Sequence, residues 1–270
     1  IANGSTVRGG FLEEVGLPRK MLPLMQVLEY LRAFLFGRLG WAPFNAVPII
    51  SGAFGTFRKE VVVEAGGYRS DTLGEDMELV MRLHRLNRLA RRPYRIAFLI
   101  NPICWTDAPE SLGVLRKQRI RWQRGLGESL ARNRSLLFHV RSSAVGWLLF
   151  PFLVAFELLG PLVELGGYVF MIAGFALGFI SAPVFWSFMA LAVCIGLMLS
   201  ASALYLEELM CHVYKRPSQL VRLVAATLIE NIGYHQLVLC WRLQGFWQWI
   251  VGAPAHWGEM KRSASWQKDL

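Results

Sequence analysis

The spacing of apolar residues changes along the chain. In residues 25–40, MQVLEYLRAFLFGRLG, Val27, Leu28, Leu31, Leu35 and Leu39 recur at steps of three and four. That is the period of one helix face, and Gly40 is placed to stop the helix. Val47 to Ile50 is a short apolar run suited to a buried strand. A glycine-rich turn and a short helix follow, ending at the Gly66-Gly67 pair. The stretch GEDMELVMRLHRLNR, from Gly74, carries acidic residues first and basic residues last, matching the helix macrodipole. Met77, Val80, Met81 and His84 mark its one face. YRIAFLIN, residues 94–101, alternates weakly and predicts a strand. A long helix follows over about residues 109–133, with Pro109 or Ser111 near its start.

Beyond Arg141 the polar positions almost vanish. Ala144 to Leu159 is interrupted only by Glu157 and broken by Gly160-Pro161. Leu162 to Ile180 holds one charge, Glu164, and Phe185 to Leu206 holds none. A helix needs ~20 apolar residues to cross the hydrocarbon layer, so the third segment spans and the first two are marginal. Leu220 to Leu243 is a weaker fourth segment, carrying Arg222, Glu230, Asn231, His235 and Arg242.

Composition sharpens this division. The chain is 54% hydrophobic with mean hydropathy +0.37 and a formal charge of +10. Residues 1–141 hold 22 Lys/Arg against 12 Asp/Glu, the remainder 7 against 7. The expected organisation is a mixed α/β domain over 1–141, a membrane region of three to four helices over 142–243, and an interfacial or cytosolic tail over 244–270. The positive-inside rule puts the basic domain in the cytosol, on a multi-pass protein of the inner or plasma membrane. Basic charge alone would admit nucleic acid, but no binding fold or basic-aromatic sheet accompanies it, so none is expected. Cys104, Cys194, Cys211 and Cys240 form no CxxC pair, which argues against a disulfide framework or zinc site. IANGSTVRGG has no signal-peptide features and reads as mid-domain sequence, so the chain is expected to be a fragment.

Two short motifs carry candidate chemistry. In Gly74-Glu75-Asp76 the carboxylates sit at a helix start, where capping is the simpler role. The sharper role is a general base at a cleft, with Gly74 letting a ligand approach the backbone. In Gln118-Arg119-Ile120-Arg121-Trp122, the residues Gln118, Arg121 and Trp122 stand at i, i+3 and i+4 on one helix face, and Arg119 points elsewhere. An amide, a guanidinium and an indole on one patch suit an anionic, sugar-bearing ligand. A membrane-interface helix would use the same residue types. Glu157 and Glu164 are expected to be paired or at helix ends, and His84 and His235 to be packed or hydrogen-bonded.

SGAFGTFRKE, then GED, then QRIRW, then apolar helices, in that order, resembles the membrane-embedded family 2 glycosyltransferases, which include cellulose, chitin, hyaluronan and poly-N-acetylglucosamine synthases. The resemblance covers essentially the whole chain. It implies the C-terminal part of an α/β, GT-A-type nucleotide-sugar transferase domain followed by transmembrane helices. By position, Asp76, beside Glu75, would take the proton of the acceptor hydroxyl. Trp122 would stack on the acceptor sugar. Gln118, Arg119 and Arg121 would contact the nucleotide diphosphate or hold the interface helix, and Ser51 and Gly52 would lie beside the acceptor terminus. The implied partners are a nucleotide-sugar donor such as a UDP-sugar, a polysaccharide or glycolipid acceptor, the lipid bilayer and accessory export subunits. The implied cofactor is Mg²⁺ or Mn²⁺, held by an upstream DxD motif. None of Asp71, Asp76, Asp107 and Asp269 forms DxD, so the 270-residue chain alone is expected to be inactive. A one-sugar transferase acting on a lipid and a non-catalytic transport or scaffold subunit are the alternatives.

Overall fold

The structure is a computed structural model that describes residues 6–8, 11–14, 16–100, 104 and 106–254. Its only strands among these residues are β1 (Thr6–Arg8) and β2 (Phe11–Glu14), an antiparallel pair. Every other regular element described is helical. The α/β expectation is therefore not met over the described residues. The runs expected as strands, 47–50 and 94–101, carry no strand over their described part, and Asn101 lies outside it. An apolar run becomes a strand only when another strand pairs with it. Here Val47 and Ile96 instead pack on Val80.

The first helical stretch is longer than the pattern predicts. It runs as α1 (Met21–Tyr30), a π-helical turn over Leu31–Phe36, and α2 (Gly37–Trp41). Gly40 does not stop it. A 3-10 turn over Ala42–Phe44, with Pro43, leads to Asn45 at φ 49°, and the left-handed asparagine turns the chain. Asn45 then holds the 94–96 run, donating to the Tyr94 carbonyl at 2.8 Å and accepting from the Ile96 N–H at 2.8 Å.

α3 (Lys59–Glu64) ends before Gly66 and Gly67, both at positive φ. Their loop is pinned by Arg82, which donates to the carbonyls of Ala65 and Gly67. α4 (Glu75–Leu89) buries the predicted Met77, Val80, Met81 and His84. α5 (Leu112–Arg132) starts where Ser111 accepts the Val114 N–H, as an N-cap should.

The apolar half is α6 (Phe150–Phe152) between two π-helical turns, α7 (Gly160–Ala176), α8 (Ala182–Met210), α9 (Pro217–Ile229) and α10 (His235–Ile250). Two continuous stretches are long and apolar enough to cross a membrane, Ala182–Met210 and Pro217–Ile250. Val145–Leu158 and Gly160–Ala176 meet at 43° and, by length and composition, make at most one more span. The bend falls at the predicted Gly160-Pro161 break. Pro217–Ile250 is itself broken at Ile232 and Gly233, the latter at φ 96°.

One core cluster joins the two halves. Met77, Met81 and Leu130 of α4 and α5 pack with Leu149, Leu153 and Phe246 from the apolar half. A second joins Leu24 and Leu28 of α1 to Leu204 of α8 and Leu223 of α9. Outward residues of α7 and α8 stay exposed, among them Phe170, Trp186 and Met198. That apolar surface fits membrane association.

Candidate active site

α4 reaches α5 by direct backbone contact. A Cβ on Gly125 would lie 2.7 Å from the Gly74 nitrogen, and one on Gly74 would lie 3.0 Å from the Gly125 Cα. Only glycine at both positions lets the chains come this close. Glu128 and Ser129 of α5 secure the approach. Glu128 accepts from the Thr72 hydroxyl at 2.8 Å and the Leu73 N–H at 2.9 Å, and pairs with Arg124 at 2.9 Å. The Ser129 hydroxyl donates to the Gly74 carbonyl at 3.4 Å. These three residues were not singled out in the sequence. Their signal was the spacing: Arg124, Gly125, Glu128 and Ser129 continue the QRIRW helix by one more turn.

Asp76 therefore lies at the start of α4, against α5. Its Oδ2 accepts the Gly52 N–H at 3.1 Å, presented by the turn at residues 51–54, and its Oδ1 accepts the Met77 N–H at 2.8 Å. Ser51, Gly52 and Asp76 are thus brought together. Glu75 is half-buried; burial pushes its carboxyl up, Asp76 adds to the rise, and Arg121 opposes it. Arg121 therefore acts on Glu75. Tyr68 is also near: burial first, then the charges of Asp76 and Glu75, raise its hydroxyl pKa.

Arg119 does not point away. Its guanidinium lies 4.4 Å from the Trp122 ring centroid and pairs with Glu29 of α1 at 2.7 Å. Gln118 is buried, with its side chain beside Tyr30. Trp122 is 37% exposed, with its ring 6.2 Å from Tyr30 and 6.5 Å from Phe34. The expected one-face grouping is thus altered. Gln118 and Trp122 meet at Tyr30, Arg119 joins them, and Arg121 works toward Glu75. Glu29, Tyr30 and Phe34 were missed because they looked like ordinary positions of a helix read for its leucines.

The rest of the motif anchors the helix. Gln123 donates to the carbonyls of Glu157 and Leu158, at 3.1 and 3.2 Å, and accepts from Arg242 at 2.8 Å. Arg242 also pairs with Glu157, while Glu164 pairs with His235 at 2.8 Å. Both apolar-segment carboxylates are thus partnered. A cavity of about 1110 Å³ adjoins the site, walled by α1, α2, the 47–58 and 93–100 runs and the end of α8. Ser51 and Arg38 lie on its wall. Among the described residues no three His, Cys, Asp or Glu gather as a metal site.

Residues 27–214 match the profile of glycosyl transferase family group 2. The chain belongs to this family. The family 2 match takes in the turn at Ser51, Gly74–Asp76 and Gln118–Trp122. Among curated proteins the chain is similar to the poly-beta-1,6-N-acetyl-D-glucosamine synthase of Staphylococcus aureus (strain COL), 37% identical over 115 residues. It is also similar to the protein of that name from Staphylococcus epidermidis, 30% identical over 113 residues. Each match covers 42% of this chain and 26% of the relative, about a quarter of its length. No solved structure matches the chain.

Proposed function

We propose that the protein transfers a sugar from a nucleotide-sugar, such as a UDP-sugar, to the hydroxyl end of a growing polysaccharide. The observation that carries this reading is the backbone contact of Gly74 with Gly125. It sets Asp76 beside the helix that bears Gln118 and Trp122. The family and the named relatives supply the reaction class. Asp76 is the base: its Oδ2, oriented by the Gly52 N–H, takes the acceptor's proton as the oxygen attacks the anomeric carbon. The bond to the diphosphate breaks, the diphosphate leaves with the electron pair, and the anomeric configuration inverts. The exposed Trp122 gives the acceptor ring an apolar face, and Arg119 and Tyr30 fix its angle. Arg121 opposes the rise that burial gives the Glu75 carboxyl. A divalent metal would supply positive charge to neutralise the leaving diphosphate. α10 packs directly on α5, and that contact between the motif-bearing helix and an apolar helix is what favours coupling synthesis to export.

The test is Asp76→Asn in the full-length protein in native membranes. Transfer should fall ~100-fold or more, the scale of a lost general base, with nucleotide-sugar binding unchanged. Near-normal polymer synthesis would remove Asp76 from the mechanism.

A further inference from the structure

Four arginines are buried among the described residues: Arg38, Arg82, Arg119 and Arg124. Three are ion-paired, Arg82 with Glu78, Arg119 with Glu29 and Arg124 with Glu128. Arg38, 8% exposed, has no carboxylate at ion-pair distance among the described residues, and its buried Nε has no hydrogen-bond partner among them. A buried charge left in this state is costly and calls for a reason. The position is also well fixed. The guanidinium rests 4.4 Å from the Phe34 ring centroid, and Phe34 stacks on Tyr30 at 4.9 Å. Tyr30 in turn neighbours Trp122, so a row of rings runs from the acceptor-facing indole to Arg38. The π-helical turn at Leu31–Phe36 lies between Tyr30 and α2 and sets the turn on which Arg38 stands. Arg38 lies on the cavity wall with Ser51, whose neighbour Gly52 donates its N–H to Asp76 at 3.1 Å.

We propose that Arg38 is a substrate-binding residue that donates an N–H to the acceptor sugar's oxygen between itself and Asp76. This rests on the transfer reading above. The ligand is a neutral sugar hydroxyl and not the diphosphate, because Asp76 would repel an anion at that spot. As Asp76 takes the hydroxyl proton, an oxygen lone pair forms the bond to the anomeric carbon, and the bond from that carbon to the diphosphate breaks with its electron pair leaving on the diphosphate oxygen. The guanidinium stabilises the negative charge that grows on the attacking oxygen. The row Trp122–Tyr30–Phe34 positions Arg38 against the ring that Trp122 carries.

The experiment measures transfer by the full-length protein in membranes, with Arg38→Ala and Arg38→Lys beside the wild type. Turnover by Arg38→Ala should fall about 10- to 100-fold, the worth of a charge-assisted hydrogen bond. The KM for the nucleotide-sugar should stay near that of the wild type. Added guanidinium ion should restore part of the Arg38→Ala activity, and Arg38→Lys should lie between the two. Wild-type turnover by Arg38→Ala overturns the proposal. So does a loss that guanidinium does not repair, since a packing role gives the cation nothing to replace. A wild-type protein that makes no polymer from any nucleotide-sugar sinks the transfer reading itself, a separate result.

Discussion

At the scale of single residues, His84 shows how a side chain without a catalytic part still sets a working range. It is fully buried, with Nδ1 2.5 Å from the Tyr94 hydroxyl and Nε2 3.0 Å from the Val47 carbonyl. Burial pushes its pKa down to about 4, and nearby Arg88 adds to the fall against the Val47 hydrogen bond. The unfolded chain protonates at the ordinary histidine value of about 6.5. Stability from this neutral imidazole is therefore complete above about pH 6.5 and declines as pH falls toward 4. The loss reaches about 3 kcal/mol. The melting temperature in detergent should drop between pH 7 and pH 5, and His84→Gln should flatten that slope while lowering stability at pH 7. An unchanged slope in the variant would assign the pH dependence elsewhere. The sequence reading of His84 as packed or hydrogen-bonded agrees with this. Its two partners were not legible, because Val47 and Tyr94 are 37 and 10 residues away.

Among elements, the contact of α4 with α5 is the one on which the site depends. A methyl group at Gly125 would sit 2.7 to 2.8 Å from the Gly74 backbone. Neither chain can yield by rotating a side chain. Gly125→Ala should thus separate Asp76 from the α5 helix. It should cost about 1–3 kcal/mol of stability as overpacking does, and reduce transfer more than nucleotide-sugar binding. Equal losses in both would mean that the whole domain, and not the α4–α5 spacing, had yielded. Helix positions were legible because period and caps are local: α5 begins at Ser111, and α4 buries the face its pattern marks. The strands expected at 47–50 and 94–101 do not form over their described part, since strand formation depends on a partner that an apolar run does not specify. The Arg119 placement failed for a related reason. Helical angle gives the direction of a side chain, but Glu29 and Trp122 decide where its long stem ends.

Across the whole molecule, the helices of the basic first half and the apolar helices are joined by buried charge as well as by greasy packing. Arg32, on the π-helical turn after α1, makes two hydrogen bonds to Glu230, at 2.9 and 2.5 Å, and one to Ser200 of α8. The Glu230 side chain is 2% exposed. Removing one partner leaves the other's charge without compensation, whereas removing both takes both charges out and leaves the neutral Ser200 hydroxyl between them. Glu230→Ala should cost about 3–5 kcal/mol, and Arg32→Met combined with Glu230→Leu should be markedly more stable than Glu230→Ala alone. Thermal unfolding of purified protein in detergent distinguishes them, and a double variant no better than the single one would show that the pair does not act as a unit. The division into a basic and an apolar half was legible from charge and hydropathy. How the halves lock together was not, because Arg32 and Glu230 stand 198 residues apart with no pattern linking them.

The glycine pair has a consequence for how such a protein can be altered. A contact between two backbones has no side chain to exchange, so neither position admits gradual change. Gly74 and Gly125 therefore form a fixed datum, and Trp122, Tyr30, Phe34 and Arg38 form the adjustable part measured from it. Breeding a new acceptor preference into the protein is then a matter of varying that aromatic and cationic row while both glycines stay untouched.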